Sequence, residues 1–169
     1  APRGIYYGPE PLPVPVIARV NGYCLGAGLE IAVACDLRLA GANAIFGMPE
    51  VKVGLPSVVE AALLPRLVGW GKAAELVYLA RNYEAEEALA MGLVERVVAP
   101  EALDAAVEEW LADLLAAGPR AIRLQKALLA KWESEPLEAA IEAGIDSLAS
   151  AFESDEPKRL IGPFLERQR

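Results

Sequence analysis

At 169 residues, 54% of them hydrophobic and 7% aromatic, the chain suits one ordinary domain with a core built mainly from Ala, Leu and Val. Sixteen basic against 24 acidic residues leave a formal charge of −8, which argues against nucleic acid or an anionic membrane surface as the main partner. The lack of histidine excludes Ser–His and Cys–His triads and imidazole zinc sites within the chain, and two cysteines cannot make a Cys-rich metal site.

Residues 1–15, APRGIYYGPEPLPVP, hold five prolines and two glycines, too many ring constraints for a helix or a central strand. They read as an extended arm over 1–14. No basic segment followed by an apolar run opens the chain, and charge or proline interrupts every apolar run before about 18 residues. A cytoplasmic protein is expected, with Cys24 and Cys35 as reduced, buried thiols. From Pro15 the pattern is α/β. VIARV (16–20) predicts a short buried strand, a Gly-rich turn follows, and GLEIAVAC predicts a helix. LRLAG (37–41) and AIFG (44–47) predict strands separated by turn residues.

Beyond Val58 the pattern is mostly helical. VVEAALLPRLV stops at Gly69, KAAELVYLA and EAEEALAMG follow, and LVERVV (93–98) predicts another strand. In 101–118, Leu103, Val107, Trp110, Leu111 and Leu114 form the i, i+3, i+4 stripe of a surface helix. Pro119 restarts a helix to about Glu133, Pro136 another to about Phe152, and a short one covers 155–167.

The chemistry concentrates in NGYCLGAGLEIAVACD (21–36). A helix that starts after a Gly-rich turn leaves its first N–H groups without partners, at the positive end of its dipole. The peptide groups of Gly26, Ala27 and Gly28, preceded by Leu25, are therefore a candidate oxyanion site where small residues let a ligand carbonyl approach. Glu30, three residues after Ala27, projects from the same face. The turn is neither a G-x-G-x-x-G dinucleotide fingerprint, since Ile31 stands where the last glycine is needed, nor a P-loop, since Gly71-Lys72 is followed by Ala73. The plainer alternative makes Glu30 a carboxylate that stabilises the dipole by about 0.3–1 kcal/mol. Glu50, in AIFGMPEVKVGLPS, follows a Gly-x-Pro turn among apolar residues. It reads either as a solvent-facing loop acid or, with Glu30, as an acid–base pair in which burial holds one carboxyl protonated.

The run PVPVIARVNGYCLGAGLEIAVACDLRLAGANAIFGMPEVKVGLP resembles the signature region of the enoyl-CoA hydratase/isomerase (crotonase) family. The likeness continues through LPRLVGWGKAAELVYLARNYEAEEALAMGLVERVV to the closing FLERQR, over about residues 12–169. The resemblance implies an α/β fold, part of a spiral of ββα turns over 15–98. The helical region 99–169 would pack between subunits, as a homotrimer or a dimer of trimers. It implies an acyl-CoA thioester as substrate and no cofactor beyond the coenzyme A that the substrate carries. By position, Ala27 matches one of two oxyanion N–H donors, Glu30 the carboxylate that activates water, and Glu50 the one that delivers a proton to the α-carbon. Phe164 and Arg167 match the tail that reaches toward coenzyme A; a solvated end-of-chain cation is the other reading of Arg167. Both glutamates together favour addition of water to a trans-2-enoyl-CoA. The alternatives are double-bond isomerisation, for which Glu50 alone can shuttle the proton, and a truncated, non-catalytic crotonase-like module.

Three departures stand out. The family's N-terminal half, with the second oxyanion donor, has no counterpart here. GLPSVVEAALLP replaces the commoner G-x-x-P-G-x-G-G, which puts Ser57 and Val58 where backbone approaches water and acyl chain. Glu60 adds a carboxylate near that loop, with no role assigned beyond helix N-terminal charge.

Overall fold

The computed structural model of the chain describes residues 12–166; most of the predicted arm, residues 1–11, lies outside the described residues. The order is β1 (Ile17–Val20), β2 (Tyr23–Leu25), α1 (Ala27–Ala34), β3 (Leu37–Gly41), β4 (Ile45–Gly47), α2 (Leu64–Leu79), β5 (Tyr83–Glu84) and α3 (Ala85–Ala90). Then come β6 (Arg96–Val98), α4 (Leu103–Ala116), α5 (Pro119–Ser134), α6 (Leu137–Ala151) and α7 (Glu156–Glu166). Short 3-10 segments cover Glu50–Val53, Val59–Leu63 and Pro100–Ala102.

The strands make two three-stranded sheets, β1-β3-β6 and β2-β4-β5. β1, β3 and β6 are parallel; β2 is parallel to β4, and β5 runs antiparallel to it. Successive strands thus go to different sheets: β1 and β2 are followed by α1, and β3 and β4 repeat the step one register further on. This is the repeating turn of a crotonase-like ββα spiral. Its corners are held alike: Gly22 turns the chain at φ 86°, and the Asn43 side-chain amide donates to Asn21 Oδ1 at 2.9 Å.

The described residues divide into two compact units, 16–109 and 110–166 with 12–15. The first holds the core, where Leu29, Val33, Leu39, Phe46, Met48, Leu64, Leu76 and Leu93 are wholly buried. Arg38 is buried too. Its guanidinium donates to the carbonyls of Leu93 (3.0 Å) and Cys35 (2.8 Å) and pairs with Glu95, so β3 carries a satisfied charge through the core. In the second unit α5 packs on α6, and Lys126 Nζ donates to the Val14 carbonyl at 2.8 Å.

Two expectations change. The Gly-rich turn does not run directly from β1 into the helix, because Tyr23–Leu25 pair with β4 first. VVEAALLPRLV is not one helix: 59–63 is 3-10, α2 follows, and Gly69 (φ 77°, ψ 159°) kinks α2 instead of ending it. A glycine with positive φ can absorb such a kink in mid-helix while core contacts continue on both sides.

Candidate active site

Gly26 caps α1 at φ 54°, ψ −125°, a conformation open in practice to glycine alone. Its N–H donates to the Gly47 carbonyl at 2.9 Å, extending the β2–β4 ladder, and its carbonyl accepts from the Glu30 N–H at 3.0 Å, starting the helix. Of the three predicted donors, the ladder therefore takes Gly26. The N–H groups of Ala27 and Gly28, both exposed, meet no acceptor among the described residues. Leu25 ends β2, half-buried, with its side chain over Gly47.

Glu30 is buried in the first turn of α1. Burial raises its pKa above the usual carboxyl range; the Val58 N–H, bonded to the carboxylate, works against this, and the charges of Glu50 and Glu60 add to it. Glu50 opens the segment 50–53 behind Pro49 and is half-buried. Its Oε2 accepts from Ser57 Oγ at 3.2 Å. Its Oε1 occupies the space beside Gly26 where a side chain would otherwise stand, since a Cβ there would lie 2.5 Å away. Glu50 is thus placed against the backbone that precedes Ala27, and Glu30 senses its charge. Ser57 and Val58 each hold one of the two carboxylates.

The predicted residues Gly26, Ala27, Gly28, Glu30, Glu50 and Ser57 come together around the start of α1. Phe164 lies in α7, and Arg167 lies outside the described residues. Two contributors act otherwise than the sequence suggests: Val58 was expected to bring backbone toward water and acyl chain, and Glu60 to serve only as helix N-terminal charge. Val58 acts through a backbone N–H, which leaves no trace in residue type. Glu60, half-buried in the first turn of 59–63, acts on Glu30 because that segment packs on α1.

A model of the enoyl-CoA hydratase/isomerase family matches residues 10–169. The chain belongs to this family. It is 39% identical over 161 residues to the crotonyl-CoA hydratase of Syntrophomonas wolfei, covering 95% of this chain and 62% of that protein. It is 37% identical, with the same coverage, to the short-chain-enoyl-CoA hydratase of Clostridium acetobutylicum. Among solved structures, an enoyl-CoA hydratase from Bacillus anthracis superposes with a TM-score of 0.89 at 32% identity, over 92% of this chain and 61% of that one. The chain therefore spans about three-fifths of the length of the relatives it matches.

Proposed function

We propose that this chain carries the acid–base half of an enoyl-CoA hydratase site, adding water across the double bond of a trans-2-enoyl-CoA. Ala27 N–H donates to the thioester carbonyl. Glu30, as carboxylate, takes a proton from water while the oxygen bonds to the β-carbon and the double-bond electrons shift toward the carbonyl oxygen. Glu50 is assigned the delivery of a proton to the α-carbon as the electron pair returns from the carbonyl oxygen. The substrate gains one water, and the proton left on Glu30 restores Glu50 through solvent. A raised proton affinity suits Glu30 to the base role. The enolate-like oxygen gathers charge as the β-carbon is attacked, so a donor already in place favours the transition state over the ground state. The second donor is assigned to a segment outside these 169 residues. The working form is proposed to be a homotrimer or a dimer of trimers.

The observation that carries this reading is the meeting of Glu30, Glu50 and an unengaged Ala27 N–H at one helix start. Hydration of crotonyl-CoA, followed as loss of the enoyl absorbance, tests it. Glu30→Gln and Glu50→Gln should each lower kcat by about 10²–10⁴-fold. Wild type and both variants behaving alike would overturn the hydratase. Retention of double-bond isomerisation in the Glu30 variant alone would mark the isomerase instead, and acyl-CoA binding without turnover a non-catalytic module.

A further inference from the structure

Ser57 reaches Glu50 because the chain folds back on it. Glu50 opens the 3-10 segment 50–53, and Gly54 ends that segment in the left-handed region at φ 79°. The Leu55 N–H then donates to the backbone carbonyl of Glu50 at 3.1 Å, so the following residues return past the glutamate instead of running away from it. Ser57, half-buried, donates through Oγ to Glu50 Oε2 at 3.2 Å, while Oε1 stands beside the Gly26 backbone that precedes Ala27. The two oxygens thus face different neighbours, one the loop and the other the helix start. The next residue, Val58, gives its N–H to Glu30. GLPSVVEAALLP carries this hydroxyl where the commoner G-x-x-P-G-x-G-G has a glycine, which could not make the bond.

We infer that Ser57 is a positioning residue for the proton step: its hydroxyl anchors Glu50 through Oε2, so that the proton bound for the α-carbon travels on Oε1 and reaches one face of that carbon. This deepens the proposed function and rests on its assignment of that proton to Glu50. The need for an anchor is physical. The last torsion of a glutamate is broad and roughly two-fold, so a carboxyl group held only by its stem samples a wide range of planes. Half a turn merely exchanges two equivalent oxygens, whereas a tilt of the plane moves the donating oxygen off the carbon it must meet. Glu50 is only half-buried, and among the described residues its side chain receives its hydrogen bond from Ser57 alone. A hydroxyl donor at Oε2 serves the charged and the neutral carboxyl alike, because both forms keep an acceptor there. It therefore holds the group before and after the proton leaves. Ser57 acts through Glu50 and exchanges no proton with the substrate.

Two reactions in heavy water, read by proton NMR, test it. Hydration of crotonyl-CoA should place one deuterium on the α-carbon in a single configuration. Butyryl-CoA, which has no double bond to hydrate, should exchange one of its two α-protons in preference to the other. Ser57→Ala should lower kcat for hydration about tenfold, the scale of one lost hydrogen bond, with KM unchanged. It should also admit deuterium to both faces of the α-carbon in both thioesters. Ser57→Thr keeps a hydroxyl on the same carbon and should recover rate and selectivity, and Ser57→Gly repeats the comparison should Ser57→Ala fold poorly. A loop merely loosened by the substitution would change kcat or KM without mixing the two faces. Wild-type kcat and face selectivity in Ser57→Ala, or a slower variant that still labels a single face, overturns the inference and leaves the hydratase standing. Face-selective exchange in butyryl-CoA that Ser57→Ala scrambles, without any hydration by the wild type, sustains the inference and removes the hydratase. A wild type that neither hydrates nor exchanges removes both.

Discussion

Glu30 carries opposed demands in one side chain. Buried among Leu29, Ala32 and Val33, it is the kind of group a core excludes, and burial raises its pKa with help from Glu50 and Glu60. In the unfolded chain it titrates as an ordinary carboxyl. Because the folded-state pKa is the higher one, ionised Glu30 destabilises the fold above that pKa, and the penalty fades as pH falls through it toward the unfolded value. Glu30→Gln keeps an oxygen that can accept the Val58 N–H and removes the charge. This variant should melt higher than wild type at pH 7–8, with the gain vanishing near pH 4; circular-dichroism melts across that range check it. A wild type that is the more stable at pH 8 would mean the site imposes no such cost. Glu30 and Glu50 were legible from sequence because an acid among apolar residues after a Gly-rich turn is anomalous in itself. The hands that hold them were less so. Val58 contributes only backbone, and Val59, at φ 40°, adopts a left-handed conformation that a β-branched residue name does not announce.

The helices show the same limit in another form. α5 begins at Pro119 behind Gly118, a cap without a side chain, so its first N–H groups need an acceptor from elsewhere. Glu156, at the start of α7, supplies it: its carboxylate accepts from Ala121 N–H at 2.9 Å and Arg120 N–H at 3.2 Å, in the space that Gly118 leaves open. Those bonds, the Ala121 N–H first, lower the Glu156 pKa. With the folded pKa depressed, the stabilisation is present above the unfolded value and is lost as pH falls through the folded one. Glu156→Ala should therefore lower Tm at pH 7, and the gap to wild type should close below about pH 4, which differential scanning calorimetry at both pH values reads directly. A gap that persists unchanged in acid would assign the loss to packing. Pro119 and Pro136 made the helix starts readable, since proline fixes φ where a first turn needs it. Glu156, 35 residues from Ala121, did not announce its role, because a long-range cap has no local pattern. β2 and β5 escaped for a related reason. At three and two residues they are too short to show alternation, and they exist through pairing with β4.

Across the whole molecule, surface and charge pull against each other. On α6, Leu137, Ile141, Ile145, Leu148 and Phe152 recur at spacings of four, four, three and four, one stripe along the helix, with exposures from 55% (Phe152) to 76% (Leu137) in the single chain. A stripe of that kind is far more apolar than an isolated surface residue needs to be, and burying it between copies is the physical reason for the proposed homotrimer. Each copy, however, brings a formal charge of −8, so association works against like-charge repulsion. Salt screens that repulsion with a Debye length of about 8 Å at 0.15 M and about 3 Å at 1 M, and it leaves hydrophobic burial intact. The assembly should therefore tighten as salt rises, the reverse of one held by ion pairs. Sedimentation equilibrium should give a species several times 18.0 kDa that persists to lower protein concentration in 0.5 M than in 0.05 M sodium chloride. Ile141→Glu with Ile145→Glu, which puts two further charges on the stripe, should return the protein to 18.0 kDa in both. A wild type that sediments at monomer mass at every concentration, or an assembly that loosens as salt is added, would remove the α6 stripe as its cause.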